Sequence, residues 1–173
     1  GDWPYYNDVV ARPMYARWEH AYTGDDAVYI SWHTNGWNGT VRGTESYIHD
    51  TQPVPGSAEL QYWVHTELVD DIRAGWDGAW IDRGQHLRNL GELRELWDDR
   101  GPAFGIPGVL LEIAFHDNPD DGEALREPTF QMLAARAVYQ GIVHYFEARD
   151  GIDLTLLPEP PTLRLGWSVW MPS

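Results

Sequence analysis

Cysteine is absent from this chain of 173 residues. That excludes disulfides and thiolate nucleophiles, and leaves only nitrogen and oxygen donors for any metal ion. Basic residues are scarce, 12 against 27 acidic ones, for a formal net charge of −15. Nucleic-acid binding needs clustered cations, so this balance argues against such a partner. No apolar run approaches the roughly 18 residues that would suggest a membrane span. The GxSxG elbow of serine hydrolases is missing, as is a Gly-rich phosphate loop closed by Lys-Ser/Thr. The seven histidines show neither HxH nor HExxH spacing. The opening Gly1-Asp2-Trp3-Pro4 has no initiator Met and no signal peptide, which points to a processed product or a piece of something longer.

What remains is enough for one sizeable core, and one domain is the default at this length. Ten Trp and nine Tyr suit core and rim packing, or a cleft with aromatic faces for sugar or peptide contact. Arg12 to Ala21 reads as a short helix with Pro13 in its first turn, and Gly24-Asp25-Asp26 as the break after it. Ala27 to Trp32 is nearly continuously apolar, as in a strand covered on both faces. Gly43 to Ile48 resembles a second strand. Ser57 to Ala74 is the clearest amphipathic helix, with Ser57 as its cap and Leu60, Val64, Leu68 and Ile72 as its core face.

Gly75 to Gly91 reads as irregular, Leu93 to Trp97 as a short strand, and Val109 to Ile113 as a buried strand. Asn118 to Gly122 reads as a turn before a short helix at Glu123 to Arg126. Thr129 to Ala148 is a long helix ended by Asp150-Gly151. Pro158-Glu159-Pro160-Pro161 reads as a stiff linker, and Trp167 to Trp170 as a terminal strand. Strands alternating with helices predict an α/β fold, a three-layer sandwich whose central sheet is mainly parallel or mixed. Residues 1–150 form the expected domain, and 151–173 a Pro-rich extension.

In such sheets, sites gather at the carboxyl ends of strands. His33 lies just past one apolar run and is followed by the turn-forming Asn35-Gly36. Glu112 lies inside another, among Leu110, Leu111, Ile113 and Phe115. An ionised carboxylate there needs a partner, and a buried ion pair with Arg83, Arg88 or Arg94 is one reading. The other is a general base beside a metal-bound water, with its pKa raised by burial. His116 reads as structural or solvent-facing.

Several ordered motifs carry a resemblance. Ser31-Trp32-His33-Thr34-Asn35 resembles the S-x-H-x-N segment of the zinc-dependent N-acetylmuramoyl-L-alanine amidases. Gly43-Thr44-Glu45-Ser46-Tyr47 is similar to their G-x-E-x-Y strand, and Arg83-Gly84 to the Arg-Gly before their next strand. Val109 to Asn118 resembles their V-L-V-E-x-G-F-x-S-N segment, with Ala114 for Gly and Asp117 for Ser. Ala135 to Ile142 resembles their closing helix. The resemblance runs from about Arg12 to about Phe146.

It implies hydrolysis of the amide between N-acetylmuramic acid and L-alanine in peptidoglycan, in a periplasmic or extracellular setting. It implies His33 as a zinc ligand and Glu112 as the catalytic carboxylate, with Asn35, Glu45 and Arg83 binding substrate. The family's zinc takes two histidines and a glutamate, the first histidine in a Gly-His-Gly turn that this chain does not contain. The two further ligands are therefore expected upstream of residue 1. A catalytically inactive wall-binding or assembly module of the same fold is the alternative, with Trp32 and Trp37 stacking on glycan.

Overall fold

Val109, Leu111, Ile113 and Ala114 are at most 1% exposed, as a strand covered on both faces must be. That strand, Gly108–Phe115, lies inside a four-stranded sheet. The computed structural model describes residues 8–23, 26–101 and 104–151. Their elements are α1 (Asp8–Thr23), β1 (Tyr29–Asn35), β2 (Thr44–Ile48), α2 (Ser57–Gly75), β3 (Asp82–Leu87), α3 (Gly91–Arg94), β4 (Gly108–Phe115), α4 (Pro119–Arg126) and α5 (Pro128–Asp150). The sheet order is β1-β4-β2-β3. β1 runs parallel to β4, β2 parallel to β3, and β2 antiparallel to β4. The sheet is thus mixed and the fold α/β.

One sheet face packs on α2 and α5. Leu60, Val64, Leu68 and Ile72 recur every fourth residue and are all fully buried, facing Val109, Leu111 and Ile113 in one cluster with Phe130, Ala134 and Ala137. The spacing places them on one side of the helix. The other face carries Leu110, which packs with Leu93, Leu96, Val54 and Ile106, against Tyr29, Tyr47 and Ala16. The site lies on this second, thinner side.

Several boundaries differ from the sequence reading, each for a local reason. α1 begins at Asp8, so Pro13 falls in its second turn rather than its first. Ser57 does not cap α2: its Oγ accepts a hydrogen bond from Gly108 N at 3.0 Å, tying the helix start to β4, and Gly56 is the cap residue. Asp82–Leu87, read as irregular, is an exposed edge strand without apolar alternation. Gly84 there has φ 96, and the register slips from Thr44 opposite Asp82 to Glu45 opposite Gly84, leaving Arg83 as the extra residue of a bulge.

The expected strand at Leu93 to Trp97 is the helical turn α3 and its exit. Leu90, Leu93 and Leu96, three residues apart, then meet one cluster. Asn118 to Gly122 is no free turn, because the Asn118 side chain accepts from the amides of Asp120 and Asp121 and caps α4 there. α5 does end at Asp150, with Gly151 in the left-handed region at φ 65. The proposed break at Gly24-Asp25 and the segments Pro158–Pro161 and Trp167–Trp170 lie outside the described residues.

Candidate active site

Glu112 is the Cα partner of His33 across the parallel β1–β4 pair, and of Glu45 across the antiparallel β4–β2 pair. Directly opposed residues of neighbouring strands share a sheet face, so His33, Glu112 and Glu45 form one row over three strands. The parallel pair brings two carboxyl ends to one edge, and the antiparallel β2 enters there. Residues 79 apart in sequence meet because of that topology.

The members of the row differ in their partners. Glu45 is 5% exposed and saturated with donors. Asn35 Nδ2 donates to its Oε1 at 2.6 Å, the Tyr47 hydroxyl donates to the same oxygen at 2.9 Å, and Arg83 Nε donates to Oε2 at 2.9 Å. The bulge aims Arg83 at this carboxylate, and its guanidinium also lies 5.2 Å from the Phe115 ring centre. Tyr47 is pushed up to about 12, first by burial and then by Glu45.

Glu112 is the opposite case. Its Oε2 is buried with no hydrogen-bond partner among the described residues. Burial above all, then the charges of Glu45 and Glu92, push its carboxyl up to about 7. The ion-pair reading does not hold: Arg83 is engaged by Glu45, Arg94 Nε donates to Asn89, Arg88 makes no ion pair among the described residues, and Glu112 Oε2 has no partner there. A carboxyl poised near neutrality can hold and release a proton in turn.

His33 Nε2 lies 3.0 Å from Ser31 Oγ and 3.7 Å from Glu92 Oε1. Glu92, on α3, escaped the sequence reading. The three-residue spacing of Leu90, Leu93 and Leu96, helical rather than extended, could have placed it. Asp121 escaped as well. Fully buried, it accepts from Gly43 N at 2.8 Å, Phe115 N at 3.0 Å and Arg42 Nε at 3.2 Å, locking the start of β2 to the end of β4. Among the described residues, no three His, Asp or Glu side chains converge as metal ligands do. His116 is exposed and its Nδ1 contacts Thr34 Oγ1 at 3.2 Å.

Beside the row opens a cleft of about 450 Å³, lined by Asn35, Trp37, Glu45, Tyr47, Arg83 and Arg88 among others. Glu45 belongs to both cleft and row, while Glu112 and His33 do not line the cleft, so the opening meets the row at Glu45. Trp37 stands at its lip, 78% exposed. Trp32 is the neighbour of His33 on the strand and therefore faces the other side of the sheet; it does not share the cleft.

The sequence profile of the N-acetylmuramoyl-L-alanine amidases matches residues 6–144. A protein of Bacillus anthracis described as an uncharacterized cell wall amidase is 33% identical over 137 residues, 76% of this chain and 23% of that protein. A sporulation-specific N-acetylmuramoyl-L-alanine amidase of Bacillus subtilis is 27% identical over 121 residues, 70% of this chain and 41% of its own length. The chain thus spans under half the length of both.

Among solved structures, an N-acetylmuramoyl-L-alanine amidase from Clostridium difficile 630 superposes with a TM-score of 0.62 at 21% identity, over 79% of this chain and 66% of the other. The catalytic domain of one from Bacillus (Paenibacillus) polymyxa gives 0.60 at 23% identity, over 78% and 65%. Both likenesses are of fold.

Proposed function

The chain belongs to the N-acetylmuramoyl-L-alanine amidase family, and from that premise we propose that it hydrolyses the amide joining the lactyl group of N-acetylmuramic acid to L-alanine in peptidoglycan. The setting is outside the cytoplasm, periplasmic or extracellular. The unit is assigned to residues 1–150, with 151–173 as an extension. The observation that carries this reading is the row His33–Glu112–Glu45, in which one carboxylate is fully hydrogen-bonded and its neighbour is free to carry a proton.

In this reading Glu112 is the catalytic residue. Its carboxylate takes a proton from the attacking water as oxygen adds to the lactyl carbonyl carbon. The same proton passes to the alanine nitrogen as the carbon–nitrogen bond breaks, leaving a carboxylic acid and a free amine. Glu45 is a positioning residue: its charge, fixed by Asn35, Tyr47 and Arg83, makes protonated Glu112 accessible near neutral pH. Asn35 and Arg83 reach the cleft from either side of Glu45, and the substrate is placed against them.

Zinc belongs to this reading only in part. A catalytic zinc takes three protein ligands as a rule, and the described residues offer a single imidazole in the row. By themselves they do not make a zinc centre, and no step above passes through a metal. His33 is the donor they would present to an ion whose other ligands come from elsewhere. That deficit supports a second reading, a wall-binding module of the same fold without turnover.

The test compares the chain with Glu112→Gln on purified peptidoglycan, measuring new alanine amines by derivatisation and lactyl carboxylates by mass spectrometry. The amidase reading expects both products and a loss of about 100-fold or more in the variant. Wall binding with neither product would establish the module instead.

A further inference from the structure

The backbone that carries the exposed Trp37 is densely hydrogen-bonded. The amides of Trp37 and Gly39 both donate to Asp117 Oδ2 at 2.9 Å. Gly36 N donates to Asn35 Oδ1 at 2.8 Å. The amides of Thr40 and Val41 donate to Asn38 Oδ1 at 3.0 and 3.2 Å, and the Thr40 hydroxyl donates to it at 2.7 Å. His116 packs so closely beneath Gly36 that a Cβ there would come within 2.8 Å of its Nε2. These amide hydrogen bonds hold Asp117 below the usual carboxylate range, the bond from Gly39 contributing most.

This order contributes little to the core, because the indole it presents is 78% exposed. A loop whose backbone is already ordered loses little further backbone freedom on binding a ligand, and a tryptophan has only two side-chain torsions to fix, which is how preorganised sites gain affinity. The residues around it decide the kind of ligand. Its loop neighbours are Gly36, Asn38, Gly39 and Thr40, so no broad apolar patch surrounds it as a protein-docking face would need. The cleft below supplies planar polar groups instead, Asn35 and Arg88. Arg88 makes no ion pair among the described residues, although the chain has far more acids than bases. A flat apolar ring above amide and guanidinium groups matches a pyranose, which has one face of C–H bonds and a rim of hydroxyl and acetamido groups.

We propose that Trp37 is the stacking platform of a saccharide subsite for an N-acetylhexosamine ring of the glycan strand, adjoining the carboxylate row. The identity of the sugar rests on the amidase reading: the lactyl amide is a substituent of a muramic acid ring, so a site that cuts it has the ring close by. Through Asn35 the platform is one residue pair from Glu45, whose Oε1 lies 2.6 Å from Asn35 Nδ2. Trp37 binds and orients; it performs no proton transfer.

The experiment titrates the full chain with a β-1,4-linked N-acetylglucosamine tetramer and, separately, with an isolated stem tetrapeptide, by calorimetry. Trp37→Ala is expected to weaken the tetramer at least tenfold and leave the peptide unchanged, while Trp37→Tyr stays within about threefold of the parent, because a smaller ring retains most of the stacking face. Thermal midpoints confirm that both variants fold. No measurable tetramer binding by the parent, tetramer binding retained by Trp37→Ala, or an equal loss of peptide binding would each overturn the proposal. Glu112→Gln is expected to bind the tetramer normally. If it also keeps amidase activity, the mechanism above fails while the saccharide subsite stands.

Discussion

Glu112 and Glu45 oppose each other across the antiparallel β4–β2 pair, yet among the described residues only Glu45 is hydrogen-bonded. Burial above all, then the charges of Glu45 and Glu92, disfavour the ionised form of Glu112 and push its carboxyl up to about 7.

That arrangement has a stability signature. The Glu112 carboxyl titrates near 7 in the folded chain against 4.5 ordinarily. Between those values the native state binds more protons than the unfolded state, so stability falls as pH rises through this window. Glu112→Gln removes the dependence. Urea unfolding should find the variant more stable than the parent at pH 8 by about 1–2 kcal/mol, a figure reduced for partial solvent access, and nearly equal to it at pH 4. Equal differences at both pH values would refute the assignment.

Activity should follow the same group. A base must be unprotonated to accept a proton, so the acid limb of kcat/KM against pH should have its midpoint near 7. Glu45→Gln takes away the neighbouring charge but leaves burial in place. The midpoint is expected to move down by about one pH unit, not all the way to an ordinary carboxylate value. A stationary midpoint would mean that Glu45 does not tune Glu112.

How far these relationships were legible in the chain depended on whether their cause was local. The apolar runs marked both β1 and β4, and hence His33 and Glu112 near the strand ends, but only β4 is covered on both faces as its run implied; β1 is an edge strand, and its Trp32 is 45% exposed. The four-residue spacing of Leu60 to Ile72 gave α2 in the same way. β3 could not be read: it is an exposed polar edge, and a bulge at Gly84 breaks its periodicity. Glu92 and Asp121 look like surface acids in sequence. Their surroundings are created by elements far along the chain: half-buried Glu92 approaches His33, and buried Asp121 accepts from the amides of Gly43 and Phe115.

Gly141 is a similar case: nothing local marks it within the helix, yet it is the contact point of α2 and α5. A Cβ there would lie 2.5 Å from Val64 Cα and 2.9 Å from Trp63 O. Alanine is favoured over glycine by about 1 kcal/mol in an open helix interior. Here the close backbone approach reverses the sign, since neither neighbour is a side chain that can turn away. Gly141→Ala should destabilise the chain by about 2 kcal/mol or more in urea unfolding. A stabilised variant would show that α2 and α5 do not meet this closely.

Asp121 tests the frame that holds the row in place. Its carboxylate serves two buried amides and Arg42, which also reaches Asp77 and Asp120. Asp121→Ala leaves donors unsatisfied and a guanidinium short of its most buried partner. A cost of about 3–5 kcal/mol is expected, with Asp121→Asn intermediate because its carbonyl oxygen still accepts. A change below about 0.5 kcal/mol, the range of ordinary surface substitutions, would place Asp121 outside the frame.

Metal content is the last measurement, and it bears on the mechanism most directly. His33 has a hydroxyl at 3.0 Å and a single carboxylate oxygen at 3.7 Å as its nearest partners, and no three-ligand group exists among the described residues. One imidazole with one acid does not hold zinc against dilution, because useful affinity requires three protein ligands in tetrahedral array. The purified 173-residue chain, equilibrated with zinc and desalted, should retain well under one ion per molecule, and His33→Ala should not change the amount. Retention of one tightly held ion, lost on His33→Ala, would mean that residues outside the described set complete the centre. His33 would then be the donor that the described residues contribute to that centre.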